Sequence, residues 1–153
     1  MDILNDILGK DVTAMKYGFM KKFLLCGFSG WCMECFWTGL HSVVSQKDPY
    51  LYCRTSVWMF PIYGMAVFIH PLSQHMKNYS LISRGIIYML LIFAIEFSTG
   101  ELLKRYHACP WNYSASRFHF DGVIRLDYAP LWFLVGLFYE QLLGRELPGN
   151  RLL

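Results

Sequence analysis

Residues 23–44 read FLLCGFSGWCMECFWTGLHSVV, and with His41 neutral, Glu34 is the one charged side chain among these 22 residues. At 1.5 Å per residue, a helix of that length matches a hydrocarbon core of about 30 Å. A helix facing water would carry a polar stripe instead. The run therefore predicts a membrane helix. Before it, residues 1–22 form an amphipathic lead-in, with Ile3, Leu4, Ile7 and Leu8 at helical spacing and Lys16, Lys21 and Lys22 closing it, suited to a membrane surface. After it, Gln46 to Arg54 is a polar break containing Asp48-Pro49. Three more apolar runs follow: Ser56 to Leu72 with Pro61 and Gly64, Gly85 to Leu103 with Glu96 and Glu101, and Tyr128 to Leu143 with Glu140. The expected fold is all-α, an integral membrane bundle of about four transmembrane helices over residues 23–143. Loop 104–127 is its outer-face element and residues 144–153 a C-terminal tail. A soluble helical bundle is the alternative, and the scarcity of charge on every helix weighs against it.

Composition points the same way. Hydrophobic residues make up 55% of the chain and charged residues 16%, against about 25% charged in ordinary soluble domains. The net charge of +3 is small and its basic residues are scattered, which speaks against nucleic acid as a partner. Cys32 and Cys35 make a CxxC inside an apolar helical run, with no histidine or second pair at zinc spacing; buried packing thiols are expected there, with a redox or metal role as the alternative. The acidic start (Asp2, Asp6, Asp11) shows no cleavable signal peptide.

Eight lysines and arginines fall on the side holding both ends of the chain and the Lys77 loop, and six on the other. This predicts both termini in the cytoplasm. Cys53 and Cys109 would then share the outer side, where they either pair or stay free. Features also echo along the chain. Glu34, Thr38 and Gly39 resemble Glu96, Thr99 and Gly100, and Pro61 and Gly64 resemble Pro130 and Gly136. Either the fold is two tandem two-helix repeats in the same orientation, or short apolar helices are alike by chance.

The chemistry concentrates at Glu34 and Glu96. A carboxylate at bilayer depth costs about 2.5–3.5 kcal/mol on insertion scales, so it faces the bundle interior and finds a partner. Small residues beside each acid, with Thr38 and Thr99, let another helix approach. Each glutamate is either a hydrogen-bonded lock on the bundle or part of a polar cavity shared with Arg54, Arg125 and Asp127. Those arginines either snorkel to headgroups or grip a carboxylate or a lipid phosphate. The five histidines are dispersed, so no metal site is expected, and no P-loop, GxGxxG or GxSxG calls for a cofactor or a hydrolase triad. The loop CPWNYSASRFHFDGVIRLDYAPLWF, from Cys109 to Phe133, is dense in aromatics and charge. Cys109-Pro110 forces a turn ahead of Trp111 and Tyr113, and the alternation through Phe118, Phe120 and Ile124 reads as a lid on the bundle.

These residues resemble the Putative ABC-transporter type IV family of small bacterial membrane proteins, which includes the animal transmembrane protein 229 group. The resemblance runs from about Gly30 to Leu143. It rests on Gly30 through Glu34 to Thr38, on Thr55-Ser56-Val57-Trp58 with Ile62-Tyr63-Gly64, and on Glu96-Phe97-x-Thr99-Gly100. Most of all it rests on Cys109-Pro110-Trp111-x-Tyr113-Ser114 followed by Gly122-x-Ile124-x-Leu126-x-Tyr128-Ala129. The family is usually acidic after Pro-Trp, where this chain has Asn112. The resemblance implies a multi-pass protein of a bacterial cytoplasmic membrane, with the lipid bilayer, a separate ATPase subunit and further copies of itself as partners. Three functions follow from it and from the residues: a transport-associated subunit, a lipid-binding or lipid-modifying enzyme, or a helix-packing accessory protein.

Overall fold

A computed structural model of the chain describes residues 2–47 and 49–144, with side chains described for 15–45, 47 and 49–144. Helix α1, Asp2–Gln46, contains no proline and stops just before Asp48-Pro49, where proline bars the helical conformation of its predecessor. It runs through Lys21 and Lys22 without a break, so the expected lead-in and the first apolar run share one rod. The second rod joins α2 (Met59–Gly64), a 3-10 turn (Met65–Phe68) and α3 (Ile69–His75). Pro61 sits in its first turn, where the missing N–H has no intrahelical acceptor to lose. Helix α4, Leu81–Arg105, opens on Ser80, whose Oγ accepts from the Ser83 amide at 3.2 Å, and closes on Lys104 and Arg105 against the helix dipole. Helix α5, Ala129–Gly144, follows a 3-10 turn at Leu126–Tyr128, with Pro130 in its first turn.

The all-α expectation holds apart from one miniature hairpin. Strands β1 (His119–Phe120) and β2 (Ile124–Arg125) pair antiparallel, His119 opposite Arg125. Asp121 and Gly122 both take positive φ, 53° and 72°, and the Val123 amide donates back to the Phe120 carbonyl at 3.2 Å. Two consecutive left-handed residues are what a type I′ hairpin turn requires, and Asp-Gly tolerates them. The alternation along this loop thus reflects a real strand pair.

The rods associate as two antiparallel pairs, α1 with α2–α3 and α4 with α5, each closed by glycine. A Cβ on Gly30 would overlap the Tyr63 ring, and one on Gly136 would overlap Tyr88. At another level, Phe23 of α1 fills the space over Gly64 of the second rod, whereas Phe133 of α5 fills the space over Gly85 of α4. The large and small partners have changed sides between the pairs. Cys26, Ala66, Ile69, Met76, Tyr88, Tyr139 and Leu143 form a core drawn from all four rods, toward the end that holds the 76–80 turn. The Tyr139 hydroxyl crosses it to donate to the Cys26 carbonyl at 3.2 Å. The opposite end, under loops 47–58 and 106–125, is hollow.

Among the described residues, one helix, α4, is long and apolar enough to cross a membrane, with a mean hydropathy of 1.8 in its best window. Only 22% of that window is buried. The core helix of a soluble protein would be mostly covered. Here Ile82, Ile86 and Leu90 face outward, as do Leu134 and Phe138 of α5 and Phe36, Leu40 and Val44 of α1. Apolar surface on this scale marks contact with lipid or protein.

Candidate ligand cavity

Glu34 projects from α1 toward the second rod because Gly27 and Gly30, on the preceding turns of the same face, let that rod come close. Thr55 Oγ1 donates to Glu34 Oε2 at 2.6 Å, and Tyr63 is a further hydrogen-bonding neighbour. One turn on, Thr38 Oγ1 accepts from the Arg54 amide at 3.1 Å and donates to the Glu34 carbonyl at 2.8 Å. The threonine therefore ties the 47–58 loop to α1. Glu96 projects from α4 toward α5, where Trp132 Nε1 donates to Glu96 Oε2 at 3.2 Å and Tyr113 is a second neighbour. Among the described residues, no lysine, arginine or histidine forms an ion pair with either glutamate.

The two carboxylates share one cavity of about 1120 Å³. It is larger than the 300–1,000 Å³ of an ordinary ligand pocket. Thr38, Arg54, Arg125, Pro110, Trp111, Tyr113 and Tyr128 also line it, and so do Tyr63, Trp37, Trp132 and Tyr139. Tyr113, from the loop, lies between the acids. Burial, then the charge of Glu96 and more weakly that of Glu34, push its phenol well above the usual range, so it remains a neutral donor. Thr99, by contrast, spends its hydroxyl on the Ile95 carbonyl at 2.6 Å and does not reach the cavity. Cys109 donates to the Trp111 carbonyl at 3.2 Å just outside it.

Arg125 is committed within its own loop. Its Nε and Nη2 grip the Asp127 carboxylate at 2.9 and 2.8 Å, Nη1 donates to the Tyr128 hydroxyl at 3.1 Å, and the guanidinium lies 4.4 Å from the Tyr128 ring centre. Asp127 faces a separate cleft of about 460 Å³ beside Asn112 and Arg117. The bidentate arginine holds its carboxyl below the usual carboxylate range. A group lowered by folding supports the fold above its unfolded value of about 3.9 and loses that support as pH falls through the folded value. Pepsin cleavage of the 106–125 loop is therefore expected to accelerate as pH drops from 4 to 2. In Asp127→Asn the loop should already be cut at the faster rate at pH 4, and equal rates for the two proteins at that pH would disprove the anchoring role.

Trp111 locks the rest of the loop. Its Nε1 donates to the Val123 carbonyl at 3.0 Å, while its ring and Val123 cover Gly100 of α4. Lys104 Nζ donates to the Asp121 carbonyl at 2.8 Å, and Asn112 Oδ1 accepts from the Ser114 amide at 2.9 Å, so Asn112 makes the turn after Pro-Trp with a neutral side chain. Cys53 and Cys109 are both free thiols, and the thiol neighbouring Cys53 is Cys35. Neither cysteine of the CxxC is the buried packing thiol expected, since Cys32 is exposed and lines the cavity and Cys35 is half-buried.

Sequence reading located both glutamates, Thr38 and the arginines, but it assigned Tyr63 and Trp132 no role at the acids and did not separate Asp127 from the cavity. The period of the second rod held a clue to Tyr63: it stands two residues after Pro61, as Trp132 stands two after Pro130, and both face a glutamate.

No solved structure matches the chain. A family model described as Putative ABC-transporter type IV matches residues 21–147. That span begins within α1 and takes in every rod, both loops of the hollow end and both cavity glutamates, and the chain therefore belongs to the Putative ABC-transporter type IV family.

Proposed function

We propose that this chain is a multi-pass membrane protein whose four rods all cross the bilayer, with the cavity under the loops as the substrate site of a transport-associated, permease-like subunit. The carrying observation is the cavity itself, which gathers Glu34 and Glu96 from different helix pairs and holds them with neutral donors. Isolated bilayer-depth acids are costly and are retained where an ion or substrate meets them. The outward apolar side chains of α1, α4 and α5 support the spanning reading, and the matched pairing of Glu34 with Tyr63 and of Glu96 with Trp132 supports two tandem repeats. Both termini are then cytoplasmic in a bacterial cytoplasmic membrane, and transport by an ABC mechanism draws on a separate ATPase subunit. That subunit would be recovered with the intact protein from mild detergent.

The test compares metabolite and lipid profiles of cells lacking the protein with cells restored by the wild type, Glu34→Gln or Glu96→Gln. At equal membrane levels, the wild type should restore the profile and the two variants should fail. Full restoration by both variants would reduce the carboxylates to packing elements. A lipid-modifying enzyme is the second reading. Of the two arginines that line the cavity it keeps Arg54 for a headgroup, since Arg125 is held by Asp127 and Tyr128.

A further inference from the structure

From the wall of the cavity we infer that its occupant is a lipophilic organic cation, a quaternary ammonium or phosphonium carried by an apolar body. This rests on reading the cavity as a substrate site and names the substrate's chemistry. The first observation is one of charge. Glu34 and Glu96 enter a mostly apolar space, and every partner they have among the described residues is neutral: a threonine, two tyrosines and a tryptophan. The one cation at the rim that no described carboxylate pairs with is Arg54, which is exposed and fixed to α1 through its backbone. Arg125 brings its own counter-charge in Asp127. The inner cavity thus presents two carboxyl groups oriented by neutral donors, and no described cation pairs with either.

The second observation is aromatic geometry. Tyr128 meets Trp37 edge-on at 6.2 Å and 90°, Trp132 at 6.1 Å and 89°, and Tyr113 at 5.9 Å and 77°. Rings set perpendicular to one another turn both faces and edges toward a shared volume. Such cages hold cations that cannot donate hydrogen bonds, through the negative potential over each ring face. Arg125 takes one face of Tyr128 at 4.4 Å, a cation–π contact within the same group of rings, which leaves Trp37, Trp132 and Tyr113 as the other rings of that group in the cavity wall. Trp132 belongs to both sets, because it closes the cage and donates to Glu96. Most of the remaining wall, including Met33, Ile62, Leu91 and Val135, is apolar, with His41 and Ser42 among its polar members, and a volume of about 1120 Å³ is far more than a bare ammonium fills. An apolar body on the cation fills the remainder. Among the described residues, no group of three or more His, Cys, Asp or Glu side chains comes together to hold a metal ion.

The discriminating probes are tetraphenylphosphonium and tetraphenylborate, nearly identical in shape and opposite in charge. The purified full chain in lipid nanodiscs, measured against empty nanodiscs, is expected to bind tetraphenylphosphonium saturably. Glu96→Gln and Trp132→Phe should each weaken binding by about tenfold, the scale of one desolvated cation–π or charge contact. Tetraphenylborate should not compete. Preference for the borate, no saturable binding above empty nanodiscs, or unchanged affinity in both variants would overturn the inference. The two readings fail separately. If tetraphenylphosphonium does not bind yet Glu34→Gln and Glu96→Gln still fail to restore the cellular profile, the cation class falls and the transport site stands. If it binds and both variants restore the profile, the cation site stands and the transport role falls.

Discussion

Gly30→Ala is expected to destabilise the protein by about 1–3 kcal/mol, the usual cost of forcing an extra group into a close-packed contact. The new Cβ would lie 2.6 Å from Tyr63 Cδ2 and closer still to Tyr63 Cβ and Cγ. Those atoms are the root of the side chain, so the ring cannot swing aside without moving the second rod. Tyr63 would also leave Glu34, which couples the packing fault to the cavity. Gly18, on the same helix, has open space where an added methyl group would lie, with nothing within 4 Å. Gly18→Ala should therefore be neutral or stabilising by up to about 1 kcal/mol through helix propensity alone. Unfolding of the purified proteins by a denaturing detergent compares the two. Adding Tyr63→Ala to Gly30→Ala should recover part of the loss, and a Gly30→Ala protein as stable as Gly18→Ala would show that α1 and the second rod do not meet at this point.

Trp111→Ala is expected to cost about 3 kcal/mol, the lower end for a large aromatic since this ring is half-buried, and to open the hollow end. The indole fills the space over Gly100, donates to the Val123 carbonyl and forms part of the cavity wall. Trp111→Phe keeps most of the packing and gives up the hydrogen bond, so it should cost only about 1 kcal/mol. Cys109 reports on the opening, because its thiol donates to the Trp111 carbonyl. Maleimide labelling of Cys109 should be fast in Trp111→Ala and near wild type in Trp111→Phe. Equal labelling in all three proteins would mean that the loop is held without Trp111.

The helical fold was legible because apolar runs bounded by Asp48-Pro49, Ser80 and Pro130 leave few other outcomes, and predicted and observed rod ends differ by a few residues except at α1. There the chain carries no breaker between residues 2 and 46, and a change from amphipathic to apolar pattern does not interrupt backbone hydrogen bonding. The glutamates were legible for a simple reason: charge inside an apolar run is costly wherever it falls. Their partners were not, because Tyr63, Trp132 and Tyr113 come from three separate parts of the chain and meet only once the pairs have packed. The separation of Asp127 from the cavity was illegible for a related reason. Sequence places it two residues from Arg125 but not on which side of the loop its carboxylate turns, and the bidentate grip settles that side.

The break in the second rod and the brevity of α5 bear on the lipid around the protein. Helix α5 has 16 residues and α4 has 25, or about 24 Å against about 37 Å of axial length. If all four rods span as proposed, a bilayer with a hydrocarbon core of about 30 Å would make the longer helix tilt or protrude and would draw the leaflets together beside the shorter rods. On that proposal the thinned collar would lie along the second rod and α5, both of which wall the cavity, and a molecule dissolved in the acyl chains would meet the hollow end where the membrane is shallowest.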